Sequence, residues 1–218
     1  MIATEVTMDR AENQKIKGIT GVILAGGQNT RFPIQKGFIR IKGIPIIERD
    51  LALMRTLFRD VLISTNMPEA YFSLGVPLVG DVLPSRGPMA GIYTSLINSR
   101  DPSIFVSACD MPFLDARVIR LVCEKYNEQS HRGHIDAVVP VFDSEPQPLL
   151  GVYCNTVLPA LEEGIRNDKV SLRQFLKEIR VYFVDETDVR LVDPEGKSFV
   201  NINTVDDYEI IIGSKGGL

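Results

Sequence analysis

From residue 19 onward, short apolar runs alternate with segments whose apolar residues recur every three or four positions. Ile19–Leu24, Val61–Thr65, Val76–Val79 and Ile104–Ala108 are unbroken or nearly unbroken runs of strand length, the signature of strands buried on both faces. Between them, Phe38–Lys42 alternates briefly before Gly43. Pro45 then precedes Ile46, Ile47, Leu51, Met54, Leu57 and Phe58 at helical spacing. Pro68 opens a short helix, and Pro88 opens one reaching about Asn98. Asp115 is placed to cap a helix carrying Val118, Ile119, Leu121 and Val122. Ala137–Phe142 and Leu149–Tyr153 read as strands, followed by two helices with Asn155 and Ser171 as caps. Val181–Val184 and Phe199–Ile202 read as short strands, and Thr204 caps a last helix with Asp206 and Asp207 in its first turn. Strands alternating with helices predict an α/β fold with a mostly parallel sheet and helices on both faces.

No repeat or low-complexity linker divides the pattern. The expected organisation is a flexible leader over 1–18, a single domain over 19–212 and a frayed end over 213–218. With 218 residues, 44% hydrophobic and 24% charged, the chain has the composition of an ordinary globular protein. The net charge of −4 and the lack of a long basic run argue against general nucleic-acid binding, though not against a small anion in a local basic pocket. Cys109, Cys123 and Cys154 form no C-x-x-C pair, so neither a disulfide framework nor a zinc site is expected. His131 and His134 have no third ligand in the sequence around them and read as surface residues. No apolar run approaches the roughly 18 residues that cross a bilayer, and the first 17 residues lack the apolar block of a signal peptide. A cytoplasmic location, with no membrane partner, is the default expectation.

Candidate chemistry begins where the first strand ends. Ala25-Gly26-Gly27 follows Leu24, and two cations follow at Arg31 and Lys36. Gly26 and Gly27 are free to take positive φ and let another molecule approach the main chain. Exposed N–H groups beside Arg and Lys suit polyanionic phosphates. The spacing is neither G-x-x-x-x-G-K-[ST] nor G-x-G-x-x-G, and a Gly-Gly pair after a strand is also simply a tight turn. In parallel sheets ligands bind beyond the carboxyl ends of the strands. That rule gathers Ala25-Gly26-Gly27, Ser64-Thr65-Asn66, Asp81 and Cys109-Asp110 along one edge. Asp110, ending an apolar strand, can bridge Mg²⁺ to phosphates, or, with Pro112 after it, can cap a helix. In Arg86-Gly87-Pro88-Met89-Ala90-Gly91 a helix starts with slim first turns, against which a planar base can lie or the sheet can pack. Asp81 reads as an acceptor for a base, part of a metal site, or an ordinary loop carboxylate.

Leu24-Ala25-Gly26-Gly27 with Arg31 and Lys36, Gly80-Asp81, Gly87 to Gly91, Cys109-Asp110-Met111-Pro112-Phe113, Gln147-Pro148-Leu149 and Asn201-Ile202-Asn203-Thr204 occur in that order. As a set, over about residues 19 to 208, they resemble the molybdenum cofactor guanylyltransferases of the MobA kind. The resemblance implies a Rossmann-like, three-layer nucleotidyltransferase fold and Mg²⁺-assisted transfer of GMP from GTP to the phosphate of molybdopterin. It places Leu24, Ala25, Gly26 and Gly27 on the guanine nucleotide and Lys36 on its phosphates. Ser64 or Asn66, Asp81 and the turn of Gly87, Pro88 and Gly91 would surround the nucleotide. Asp110 would hold Mg²⁺, Arg31 and Lys36 would stabilise phosphate charge, and Asn201 and Asn203 would help bind the pterin. Transient contact with molybdopterin-synthesising or molybdoenzyme proteins is implied as well. The rival readings are a nucleotidyltransferase using CTP or a sugar phosphate, and a non-catalytic nucleotide-binding protein. One departure stands out: the family's Arg-Met-Gly-x-Asp-Lys is Arg31-Phe32-Pro33-Ile34-Gln35-Lys36 here. Pro33 fixes φ and removes a donor, and Gln35 withholds a counter-charge from Lys36.

Overall fold

The computed structural model describes residues 14–26, 35–84, 87–169 and 171–213. Strand β1 (Ile19–Leu24) is followed by a small hairpin, β2 (Arg40–Ile41) and β3 (Ile44–Pro45), and by helix α1 (Ile46–Leu57). Then come β4 (Val61–Ser64), α2 (Pro68–Tyr71), β5 (Leu78–Val79), α3 (Pro88–Asn98), β6 (Ser103–Ala108), α4 (Ala116–Arg132), β7 (Ala137–Phe142), β8 (Glu145–Pro146) and β9 (Leu150–Cys154). Helices α5 (Leu158–Arg166) and α6 (Leu172–Phe175), strand β10 (Val181–Val184), and helices α7 (Glu186–Val192) and α8 (Val205–Gly213) complete the order.

The main sheet runs β10-β7-β9-β6-β1-β4-β5. β1 pairs parallel with both β4 and β6, β4 with β5, and β10 with β7; β9 is antiparallel to β6 and β7. Every residue of β1, β4 and β6 is buried, as expected of strands covered on both faces. Alternate side chains enter two cores. Ile19, Ile23 and Phe105 pack with Ile47, Leu51 and Met54 of α1 and Val118, Ile119 and Val122 of α4. Val22, Leu24, Ile104 and Val106 pack with Met89, Ile92 and Leu96 of α3 and Leu161 and Ile165 of α5. Burying one such side chain is worth about 1.5–3 kcal/mol, so the three-layer arrangement follows from the apolar pattern. A third, smaller cluster joins Ile39, Ile41 and Ile46 to Ile202, with Tyr208 and Ile211 of α8 against it. Among the described residues no helix is long and apolar enough to cross a membrane.

The structure departs from the pattern in several places, among them an added helix, α7. Residues 14–18, expected in a flexible leader, are held: Ile16 bridges Phe58, and its N–H donates to the Leu57 carbonyl at 2.7 Å. The strand expected over Val76–Val79 shrinks to Leu78–Val79, because Pro77 has no N–H and contributes only its carbonyl, to Ile63. The stretch Phe199–Ile202 is not a strand. Gly196 turns the chain at φ 65°, and Asp193 collects the N–H groups of Lys197 and Ser198, forming a 3-10 turn at Lys197–Phe199. That turn stacks Phe199 on Phe142, ring centroids 5.1 Å apart. Asn155 opens a 3-10 turn rather than capping α5, which begins at Leu158. By contrast Asp115 accepts from the Arg117 N–H and Ser171 from the Gln174 N–H, as expected of caps.

Candidate active site

Three neighbouring strands end together. Leu24 lies beside Ser64 on one side and Ala108 on the other. The ladder continues past the strand ends: Ala25 N–H donates to the Ser64 carbonyl at 2.8 Å, and Cys109 N–H to the Leu24 carbonyl at 3.0 Å. Adjacent strands sit about 4.8 Å apart, and the register carried two residues past Leu24 sets Gly26 in a row with Asn66 and Asp110 along one edge. Leu24 and Ala25 are themselves buried; Gly26 is exposed, with nothing within 4 Å of the position its Cβ would take. Gly26 is not among the residues with positive φ. What the glycine provides here is open access to the main chain rather than an unusual turn. Gly27, Arg31 and Pro33 lie outside the described residues.

On the β4 side, Asn66 and Asp81 form a reciprocal pair. Asn66 Nδ2 donates to Asp81 Oδ2 at 2.7 Å, and the Asp81 N–H donates to Asn66 Oδ1 at 2.8 Å. Burial pushes the Asp81 carboxyl above its usual range, against the opposing effect of the Asn66 amide. The next residue is tied to α3, as Val82 N–H donates to Thr94 Oγ1. Gly87 precedes α3 at φ 134°, a conformation open essentially to glycine, and Pro88 sits in its first turn. A Cβ on Gly91 would stand 2.9 Å from Ser64 Oγ and 3.0 Å from Leu24 Cδ2. The first turns of α3 are therefore seated directly on the strand ends. Ser64, 3% exposed, lies under this contact rather than in the mouth of the site. Of the residues expected around a nucleotide, Gly26, Asn66, Asp81, Gly87 and Pro88 present accessible surface.

On the β6 side the Lys36 ammonium is shared. Its Nζ is 2.9 Å from Asp110 Oδ2 and 2.9 Å from Asn203 Oδ1. Gln35 withholds a neighbouring counter-charge from Lys36, but Asp110, distant in sequence, supplies one. Gln35 instead donates to Met67 Sδ, linking this segment to the loop after β4. Asp110 also accepts the Ile202 N–H on its main-chain oxygen at 3.0 Å, bringing the C-terminal segment to the edge. The two asparagines expected on the pterin diverge. Asn203 reaches the site, whereas Asn201 donates to the Phe199 carbonyl at 3.3 Å and its Oδ1 is buried without a partner.

Beneath this edge lies a carboxyl that belongs to none of the motifs above. Asp50 is 2% exposed and Oδ2 has no hydrogen-bond partner. Its position, three residues after Ile47 and four before Met54, puts an acid on the apolar stripe of α1, which was the available signal. Burial raises its pKa well above 3.8, opposed by Arg49 and reinforced by Asp110. The folded chain thus favours the protonated carboxyl. Its contribution to stability is fully present below the unfolded value and is lost as pH rises through the folded one. Asp50→Asn should flatten the decline in unfolding free energy on going from pH 4 to pH 8. At pH 8 the variant should exceed the parent by about 1–3 kcal/mol in denaturant melts; parallel curves would mean that Asp50 is ionised without penalty. Its neighbour Cys109 is also buried, and its thiol is pushed up to about 12, mainly by burial, so it supplies no thiolate nucleophile near neutral pH.

Among the described residues no three His, Cys, Asp or Glu side chains cluster as metal ligands. Asp110 offers one partly exposed carboxylate, 17% accessible. That donor set does not make an all-protein cage, but it fits Mg²⁺, which takes one or two carboxylates and completes its shell with phosphates and water. A cavity of about 670 Å³ lies at the opposite edge, lined by Lys15, Arg55, Arg59 and Arg100. Arg55 and Arg59 sit at the C-terminal end of α1, and Arg100 follows that of α3, where cations offset the helix dipoles.

Comparison with known proteins identifies the family. A family model described as a MobA-like NTP transferase domain matches residues 21–182. The molybdenum cofactor guanylyltransferase of Desulfosudis oleivorans is 32% identical over 192 residues, covering 88% of this chain and 93% of that protein. A probable molybdenum cofactor guanylyltransferase of Methanosarcina acetivorans is 33% identical over 222 residues, covering 93% and 94%. The crystal structure of molybdopterin-guanine dinucleotide biosynthesis protein A from Archaeoglobus fulgidus superposes with a TM-score of 0.77 at 26% identity, covering 89% of this chain and 97% of that one.

Proposed function

The chain belongs to the MobA-like NTP transferase family, and we propose that its reaction is transfer of GMP from GTP to the phosphate of molybdopterin, with pyrophosphate leaving. One observation supports this reading above the others: a single ammonium, Lys36 Nζ, is bonded to Asp110 and to Asn203 at the glycine-lined ends of the strands. Cation, carboxylate and acceptor-side amide thus meet where a triphosphate can lie against the bare backbone at Gly26.

The chemistry is in-line attack of a phosphate oxygen on the α-phosphorus of GTP. Two anions must meet, so neutralisation and alignment matter more than a protein nucleophile. Gly26 and the start of α3 hold the nucleotide; Asn66 and Asp81 offer an amide and a carboxylate to the base. Triphosphate oxygens arriving beside Gly26 compete for the Lys36 ammonium and draw it from Asp110. Asp110 would be the residue to hold Mg²⁺, which would supply neutralisation of the charge on the pyrophosphate. Lys36, still held by Asn203, stabilises the charge that grows on the same group. Asn203 Nδ2 is left to meet the acceptor.

The test is pyrophosphate release by purified protein with Mg²⁺, molybdopterin and each of GTP, CTP, ATP and UTP in turn. Release with GTP and not with the others is expected. Release with CTP alone would move the chain to cytidylyl transfer, and nucleotide binding without release would make it a binding protein.

A further inference from the structure

Asp207 lies in the first turn of α8 and makes no hydrogen bond to the Lys36 ammonium, but it does bond the main chain of that ammonium's second acceptor. Its Oδ2 accepts the N–H of Asn203 and the N–H of Thr204, each at 2.8 Å. In return Thr204 Oγ1 accepts the Asp207 N–H at 3.1 Å. The Thr204–Asp207 half of this arrangement is an ordinary capping box. The Asn203 half is additional: it pins the residue before the cap, whose amide oxygen holds Lys36 Nζ.

The surroundings make this turn a lever on the site. Ile202, just before it, is fully buried in the cluster with Ile39, Ile41 and Ile46, and its N–H donates to the Asp110 carbonyl. Tyr208, just after Asp207, donates its hydroxyl to the Arg40 carbonyl in the hairpin that follows Lys36. The lysine segment and the C-terminal helix are thereby fastened to each other on both sides of Asn203. A lysine has a long flexible stem, and two acceptors restrict it where one would leave it to swing. The two backbone donors, Asn203 first, hold the Asp207 carboxyl below its usual range, with a smaller contribution from the Lys36 charge.

We propose that Asp207 is a positioning residue: by pinning the Asn203 main chain it keeps the Asn203 amide oxygen on the Lys36 ammonium above Asp110. The kinetic part of this inference rests on the nucleotidyl-transfer reading. The placement of Lys36 does not, so the two can fail separately.

The experiment uses the full chain in four variants, D207A, D207N, N203A and T204A, and the double variant N203A/D207A, with far-UV circular dichroism as a check on folding. The first readout is the Lys36 Nζ–Hζ NMR correlation, which needs no turnover. It should be visible in the parent, in D207N, whose amide oxygen accepts the same bonds, and in T204A, which loses the helix cap alone. It should be lost in D207A and N203A. The second readout is turnover with the nucleotide the enzyme uses. D207A should lower kcat by about 10- to 100-fold, the scale of small misplacements at a reacting centre, but change it less than about twofold when N203A is already present. A T204A variant as impaired as D207A, or additive effects of N203A and D207A, would reduce Asp207 to a helix cap and overturn the proposal. A Lys36 signal unchanged in D207A would overturn it as well. If the signal behaves as expected while no nucleotide supports turnover, the positioning role stands and the assigned reaction falls.

Discussion

Asp110→Ala should abolish nearly all pyrophosphate release, lowering turnover by about 10³-fold or more. The magnitude follows from the several kcal/mol of charge stabilisation a metal supplies in phosphoryl chemistry, at about 1.4 kcal/mol per tenfold in rate. Among the described residues Asp110 is the carboxylate bonded to Lys36, and no metal-ligand cluster exists to take over its role. Asp110→Asn separates charge from shape. The amide keeps an oxygen to accept from Lys36 but offers little to a divalent cation, so this variant should fold normally and lose nearly as much activity as the alanine. The check is steady-state turnover of both variants across a Mg²⁺ titration. Full turnover by Asp110→Asn would show that the negative charge is not required and would remove Asp110 as the metal-holding residue.

Lys36→Ala should cost about 10²–10³ in turnover, the range for removing one preorganised group that meets developing charge. Charge on the leaving pyrophosphate is larger in the transition state than in bound GTP, so kcat should fall more than KM rises. Lys36→Arg should not restore the rate. The ammonium sits 2.9 Å from each of two oxygens belonging to residues distant in sequence, and a planar guanidinium fork cannot keep both contacts from the same stem. Initial rates over a GTP titration for the three proteins provide the check. A Lys36→Ala enzyme with normal kcat and raised KM would confine the lysine to ground-state binding.

The parts of the molecule legible from sequence are those whose cause is local. β1 and β6 are uninterrupted apolar runs because both faces are covered, and α1 and α3 announce themselves by Pro and helical spacing. Asp110 stands out as the polar residue that ends a buried strand, and parallel topology puts it on the edge with Gly26. Direction is not local: nothing in Leu150–Cys154 itself says that β9 enters antiparallel between β6 and β7. Nor can spacing show that Lys36 meets Asp110 and Asn203, or that Ser64 is covered by Gly91 while Asn66 is left open. The segment 193–203 misleads because its apolar residues look like strand while Asp193 and Gly196 turn its backbone elsewhere. Asp207 reads correctly as a residue of the first helical turn; its hold on Asn203 requires coordinates.

The most direct measurement is the mass of the product formed by the purified chain from molybdopterin, GTP and Mg²⁺, with pyrophosphate counted in the same reaction. The expected product is a dinucleotide joining molybdopterin to GMP, with one pyrophosphate released per dinucleotide formed. GTP consumed without a pterin-linked product, or an adduct that forms from CTP and not from GTP, would contradict it.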